Sequence, residues 1–316
     1  MKDADDIVKP SPPGWAILLA FGLLYISWGT TYRATGIAMK EEQMPPALYG
    51  GLRLCLAGSV LLLYQLTRGQ SLRLTQGQAL RLFIISVFLF LCANLMITIG
   101  QRRLDSSAAA ILVATTPLWI GLFGMVGPAA EYLSWRGWLG LCVGFVGILV
   151  TMMPQLYDGV DLLAEGYSLL VLGSAVSWAI GSLLSRRLAL PLPHLTSAGY
   201  QMLLGGISQV VCGSAIGEWP DFRAHLSQRA VLAFIYLLIV GSMCGFVAFN
   251  WLLGHVSTAK VGTYAYVNPV IALFIGWYFG EPIGPWLLAG IVVILVGVYL
   301  VRGDHAPTRE IEVEPD

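Results

Sequence analysis

The chain has 316 residues, of which 57% are apolar and only 11% charged, with 18 basic against 18 acidic residues. A soluble domain usually carries about 25% charged residues, so this composition argues against a soluble enzyme, a disordered chain or a basic nucleic-acid binder. It fits a protein of many membrane spans. A helical crossing needs about 20 apolar residues because the hydrocarbon is about 30 Å thick, and long unbroken apolar runs are unlike the short alternating segments of a β-barrel.

Residues 1–13 read as a short polar tail, with Asp3, Asp5 and Asp6 beside Lys2 and Lys9. This is not the basic start of a secretory signal, and the apolar run that follows is too long for a cleaved signal core. Ten spans are predicted from there, at 14–38, 46–67, 80–101, 105–126, 134–153, 163–187, 195–216, 229–254, 257–279 and 284–302. Breakers separate them: Pro45-Pro46, Gly69, Met153-Pro154, Pro191 with Pro193, and Glu281-Pro282. The tail 303–316 is polar and carries Pro307 and Pro315, which reads as disordered. Arg and Lys in the short connections set the orientation. With the N-terminus inside, eleven basic residues fall on the inner side and five on the outer side, so both termini are expected to be cytoplasmic. All five cysteines fall within spans without a CxxC spacing, so they read as packing residues, and neither a metal nor a cofactor is expected.

The second half echoes the first. Ser27-Trp28 matches Ser177-Trp178 at an offset of 150, as Glu131 matches Glu281, Gly140 matches Gly290 and Gly147 matches Gly297. Pro117 matches Pro269 and Gly124 matches Gly276 at 152, the difference falling in the loop at Gly127-Pro128-Ala129-Ala130. Each copy, 14–153 and 163–302, holds five spans. Five is odd, so the second copy must cross in the opposite sense. The expected fold class is all-α and integral to the membrane: ten helices as two inverted five-helix repeats around a central cavity, a common transporter design.

Particular residues carry a resemblance. Trp28-Gly29-Thr30-Thr31-Tyr32, Pro45-Pro46 followed by Arg53, Ser177-Trp178-Ala179-Ile180-Gly181-Ser182, Ser185-Arg186-Arg187, Gln201-Met202-Leu203, Ser257 to Lys260, and Tyr264-Ala265-Tyr266-Val267-Asn268-Pro269-Val270 with Gly280-Glu281 are the motifs. On these the chain resembles the EamA-type members of the drug/metabolite transporter superfamily, most closely the YedA-like branch. The resemblance covers about 15 to 302. It implies a ten-helix fold with cytoplasmic termini in the inner (plasma) membrane, and export of amino acids, other metabolites or drugs. Two departures stand out: a longer link at Lys40-Glu41-Glu42-Gln43, and Arg33 after Tyr32.

Polar residues inside the spans are the candidate substrate-binding residues. A charge near the bilayer centre costs about 2.5–3.5 kcal/mol on insertion scales, so it persists where it faces a cavity or a partner. Arg53 has no acidic residue within reach on its own helix. It reads either as a cavity charge for a carboxylate or as a snorkelling residue that ties helices. Gln201, at an offset of 148, is its expected repeat counterpart. Trp28, with Tyr32 in the same motif, and Trp178 lie near mid-span and suggest an aromatic wall, with helix packing as the other reading. Tyr264 and Asn268 share a face of span 9. Asn94 and Asn250 face the cavity or bridge helices. Pro117 and Pro269 are expected helix kinks that free the carbonyls of Val113 and Ala265. Gly137, Gly140, Gly144, Gly147, Gly290 and Gly297 form small-residue faces for packing within the chain or in a homodimer.

No acidic residue lies deep in a predicted span and no Walker sequence is present. The expected function is therefore carriage of a small-molecule substrate without a buried carboxylate relay, by alternating access and without enzymatic activity or nucleic acid. The alternatives are a membrane-embedded enzyme, which would need a catalytic set, a channel, and a non-transporting assembly protein.

Overall fold

Prolines and glycines start and stop the helices where their backbone demands it. Pro46 opens a helix at its first position, where its missing N–H costs nothing, and Gly69, Gly127, Gly166 and Gly217 take positive φ in the connections. The computed structural model describes residues 12–104, 109, 112–127, 130–151, 153, 157, 166–278 and 285–302. Its helices are α1 (Gly14–Glu41), α2 (Pro46–Thr67), α3 (Gln76–Gly100), α4 (Thr116–Gly124), α5 (Trp135–Thr151), α6 (Tyr167–Arg187), α7 (His194–Ala215), α8 (Gln228–Leu253), α9 (Thr258–Gly262 and Tyr264–Tyr278) and α10 (Pro285–Arg302). A short helix, Trp219–Ala224, joins α7 to α8. No strand occurs among the described residues. Five helices, α1, α2, α3, α6 and α8, are long and apolar enough to cross a membrane. The two tails, 1–11 and 303–316, and the breakers Pro154, Glu281 and Pro282 lie outside the described residues.

Two helices depart from the expected course. In place of a kink within span 4, the chain turns at Ala114-Thr115, and α4 starts afresh with Pro117 in its first turn. The hydroxyl of Thr116 donates to the Val113 carbonyl at 2.7 Å, which supplies the partner that proline cannot. In α9, Pro269 does sit inside a helix, and a further break falls at Thr263. A third feature is not visible in the sequence. Val87–Asn94 of α3 and Leu237–Phe246 of α8 are π-helical, and their starts lie 150 residues apart. Carbonyls in these stretches accept from side chains of other helices: Phe88 from Ser177 at 2.8 Å, Phe90 from Gln209 at 2.7 Å and Gly241 from Trp28 at 3.0 Å.

The outer faces are apolar. Leu18, Leu19, Leu23 and Ile26 of α1, Leu56 and Leu63 of α2, and Val292 and Leu295 of α10 are exposed. Lipid tails are as apolar as leucine, so burial alone does not hold such helices together. Close backbone approach and hydrogen bonds do. The two most extensive seams are α2 with α7 and α5 with α10, and both run antiparallel. Gly51 meets Gly206 and Gly58 meets Gly199, while Gly140 meets Gly297 and Gly147 meets Gly290. A Cβ on Gly58 would lie 2.6 Å from the Gly199 oxygen, and one on Gly297 would lie 2.7 Å from the Gly140 oxygen. The glycine faces are thus consumed inside the chain and give no argument for a homodimer. The remaining contacts follow a reciprocal rule: α1 packs on α8 and α9, and α6 packs on α3 and α4.

A glutamate marks each end of the bundle. Glu218 accepts from the backbone N–H groups of Ala47 and Leu48 at 3.3 and 2.7 Å, capping α2. At the other end Glu131 accepts from the Thr258 N–H and hydroxyl, both at 2.9 Å, capping α9.

Candidate functional site

A cavity of about 170 Å³ lies in the half of the bundle nearer Glu218. Side chains from α1, α2, α3, α4, α6, α8 and α9, together with Val113 just before α4, line it. On α1 they run from Trp28 to Met39, which at 1.5 Å per residue is a depth of about 16 Å. The floor is aromatic. Trp28 meets Trp178 edge to face at 5.4 Å and Tyr264 at 4.8 Å, and Phe90 meets Phe246 at 4.9 Å. Below the floor, Phe249, Leu24, Leu61, Ile85 and Leu252 pack into a dry core.

Seven of the eight sequence-predicted site residues line this cavity: Trp28, Tyr32, Arg53, Asn94, Trp178, Tyr264 and Asn268. Gln201 does not. It is buried toward the Glu131 end, where it donates to Ser185 at 3.3 Å and Ser197 at 3.1 Å and accepts from Asn250 at 3.2 Å. Asn250 is therefore a helix bridge, not a cavity residue. Asn94 faces the cavity and accepts from Gln209 at 3.3 Å.

The charges are distributed unevenly. Among the described residues Arg53 is the only ionised side chain in the cavity lining, and its one hydrogen bond runs from Nη1 to the Ser242 hydroxyl, 2.8 Å. Its Nε is buried without a partner, as are the Trp178 Nε1 donor and the Asn268 Oδ1 acceptor. A polar atom withdrawn from water without a partner is costly. All three atoms belong to side chains that line the cavity: a donor, a cationic donor and an acceptor. Arg33, by contrast, is exposed at the lipid side of α1.

Polar ties at each end of the bundle join residues that sit at the span edges. Arg186 Nε pairs with Glu131 Oε1 at 2.7 Å, and Arg186 Nη1 donates to the carbonyls of Leu253, at 2.9 Å, and Val256. Arg187 Nη2 donates to the Gly124 carbonyl at 2.7 Å. These bonds join the ends of α4, α6 and α8 to the start of α9. At the Glu218 end, Arg229 pairs with Glu41 at 2.6 Å, and the Ser227 hydroxyl donates to Glu42 at 2.6 Å, which ties the long α1–α2 link to the start of α8. The repeat had flagged Glu131. Arg186 and Arg187 stand in a motif of the resemblance, but their partners are not read from it.

Apolar helices long enough to cross a membrane, arranged around a partly polar cavity, define a membrane protein with room for a small solute. Comparison with known proteins agrees. The model of the EamA-like transporter family matches twice, at residues 14–153 and 166–303. The chain belongs to the EamA-like transporter family, within the drug/metabolite transporter superfamily. It is 33% identical over 279 residues to the uncharacterized inner membrane transporter YedA of Escherichia coli (strain K12), spanning 86% of this chain and 87% of that one. It is 27% identical over 296 residues to an S-adenosylmethionine/S-adenosylhomocysteine transporter of Chlamydia trachomatis serovar L2, spanning 90% and 88%. One crystal structure superposes with a TM-score of 0.72 at 21% identity, covering 91% of this chain and 97% of the other, a likeness of fold.

Proposed function

We propose that this protein carries small organic metabolites across the inner membrane, in the export direction, by alternating access of two inverted five-helix repeats with both termini in the cytoplasm. One observation carries the reading: side chains from both halves of the chain converge on a single cavity that is floored by Trp28 and Trp178 and lies in one half of the bundle, while the other half is packed and tied at Glu131. The reciprocal contacts of α1 with α8 and α9 and of α6 with α3 and α4 support two equivalent modules. Exchanging their conformations would close the existing cavity and open one at the Glu131 end. Trp28, Tyr32, Asn94, Trp178, Tyr264 and Asn268 then hold the solute, with Arg53 as the charged contact. Gln201 belongs to the end that is closed here.

The experiment is counterflow in proteoliposomes over amino acids, other carboxylates, nucleosides, amphipathic drugs and S-adenosylmethionine, the last because a relative is named for it. Saturable uptake driven by unlabelled internal solute supports the reading. Linear flux without counterflow would indicate a channel, and no flux for any solute would refute transport.

A further inference from the structure

We infer that the solute is a small organic anion, a carboxylate on a flat apolar body, and that it moves faster in exchange for a second anion than alone. The inference rests on the transport reading above and goes beyond it. Arg53 brings a fixed positive charge into the cavity about 10 Å along α2 from its start. Among the described residues no Asp, Glu or His shares the lining. Among the described residues no anionic group there balances an ammonium or the guanidinium, whose hydrogen bond runs to the neutral Ser242 hydroxyl.

A carboxylate answers this geometry. It accepts from the unpartnered Arg53 Nε and from the rest of the guanidinium fork in charge-assisted bonds. Its apolar body lies against the rings of Trp28, Phe90, Phe246 and Tyr264. An oxygen on the body fills the demand of Trp178 Nε1, and an N–H or O–H meets Asn268 Oδ1. A cation would be repelled by Arg53, and a zwitterion would leave its ammonium without a counter-charge.

The same charge sets the kinetics. To pass between states the cavity must close around Arg53. Loaded with a monoanion, the closed site is neutral. Empty, it encloses an uncompensated guanidinium, which is strongly disfavoured away from water. The loaded carrier therefore crosses readily and the empty carrier lags. An anion on the far side accelerates the return.

Four matched probes in proteoliposomes test this: phenylacetate, phenylacetamide, phenethylamine and phenylalanine, with wild type, Arg53→Lys and Arg53→Gln. Wild type should favour phenylacetate over each of the others by about tenfold or more, the scale of one charge-assisted contact. Phenylacetate exchange should exceed its net efflux severalfold. Arg53→Gln should lose both preferences, while Arg53→Lys keeps the sign of the charge preference. Monodisperse elution and a cooperative thermal unfolding transition of each variant establish that it is folded. Two results overturn the inference and leave transport standing: flux of phenethylamine or phenylalanine at or above phenylacetate, or Arg53→Gln retaining phenylacetate selectivity. So would silence for all four probes while another solute of the wider panel moves. Silence for every solute would overturn both readings.

Discussion

Trp28 and Trp178, 150 positions apart in sequence, meet edge to face at 5.4 Å on the cavity floor, yet their indole nitrogens have opposite fates. Trp28 Nε1 donates to the Gly241 carbonyl of the π-helical stretch of α8, whereas Trp178 Nε1 is buried without an acceptor. One ring is fixed by the fold. The other leaves its donor without a partner on the cavity floor.

That asymmetry separates binding from stability. Trp178→Phe should lower the Tm less than Trp28→Phe, since both lose ring contacts but Trp178 loses no hydrogen bond, and it should raise the counterflow KM about three- to tenfold, the equivalent of one neutral hydrogen bond of about 0.5–1.5 kcal/mol. Trp28→Phe should lower the Tm more, because it leaves the Gly241 carbonyl without its donor. Equal effects of the two changes on Tm would contradict the assignment.

The glycine seams hold the bundle by backbone contact. Gly58→Val and Gly297→Val should each destabilise the protein by about 1–3 kcal/mol or more through overpacking, seen as a fall in Tm and in monodisperse yield in detergent. Gly22→Val is the control, since a Cβ there meets nothing within 4 Å, and it should be neutral.

Glu131 and Arg186 act as a unit with Thr258. Single Gln substitutions of Glu131 and Arg186 should each lower Tm, and the double change should cost less than their sum. A coupling of about 0.5–3 kcal/mol in a double-mutant cycle is the expected size for groups in one network. Strict additivity would show that the contact contributes nothing.

Much of the site was legible because polar groups in hydrocarbon need a reason to be there. Arg53, Asn94 and Asn268 stood out on that ground, and mid-span Trp28 and Trp178 stood out against the usual interfacial place of tryptophan. Gln201 misled. The repeat alignment locates its equivalent position, but Gln201 meets Ser185, Ser197 and Asn250, whereas Arg53 meets Ser242 in the cavity. The π-helical stretches were invisible because Val87–Asn94 is apolar on every face but its last residue, and hydropathy then carries no period to read. The ion pair at the Glu131 end was hidden because Glu131 and Arg186 lie 55 residues apart, and neither the repeat nor the motif pairs them.

Sided cysteine labelling tests the account most directly. Single cysteines replace Thr98 in the cavity or Leu253 beneath the Glu131–Arg186 tie, in a background lacking the five native thiols. A membrane-impermeant maleimide should label position 98 from one side only, with position 253 protected. Added solute should lower labelling at 98 and raise labelling at 253 from the other side. Simultaneous labelling of both positions that solute does not alter would contradict alternating access through this cavity.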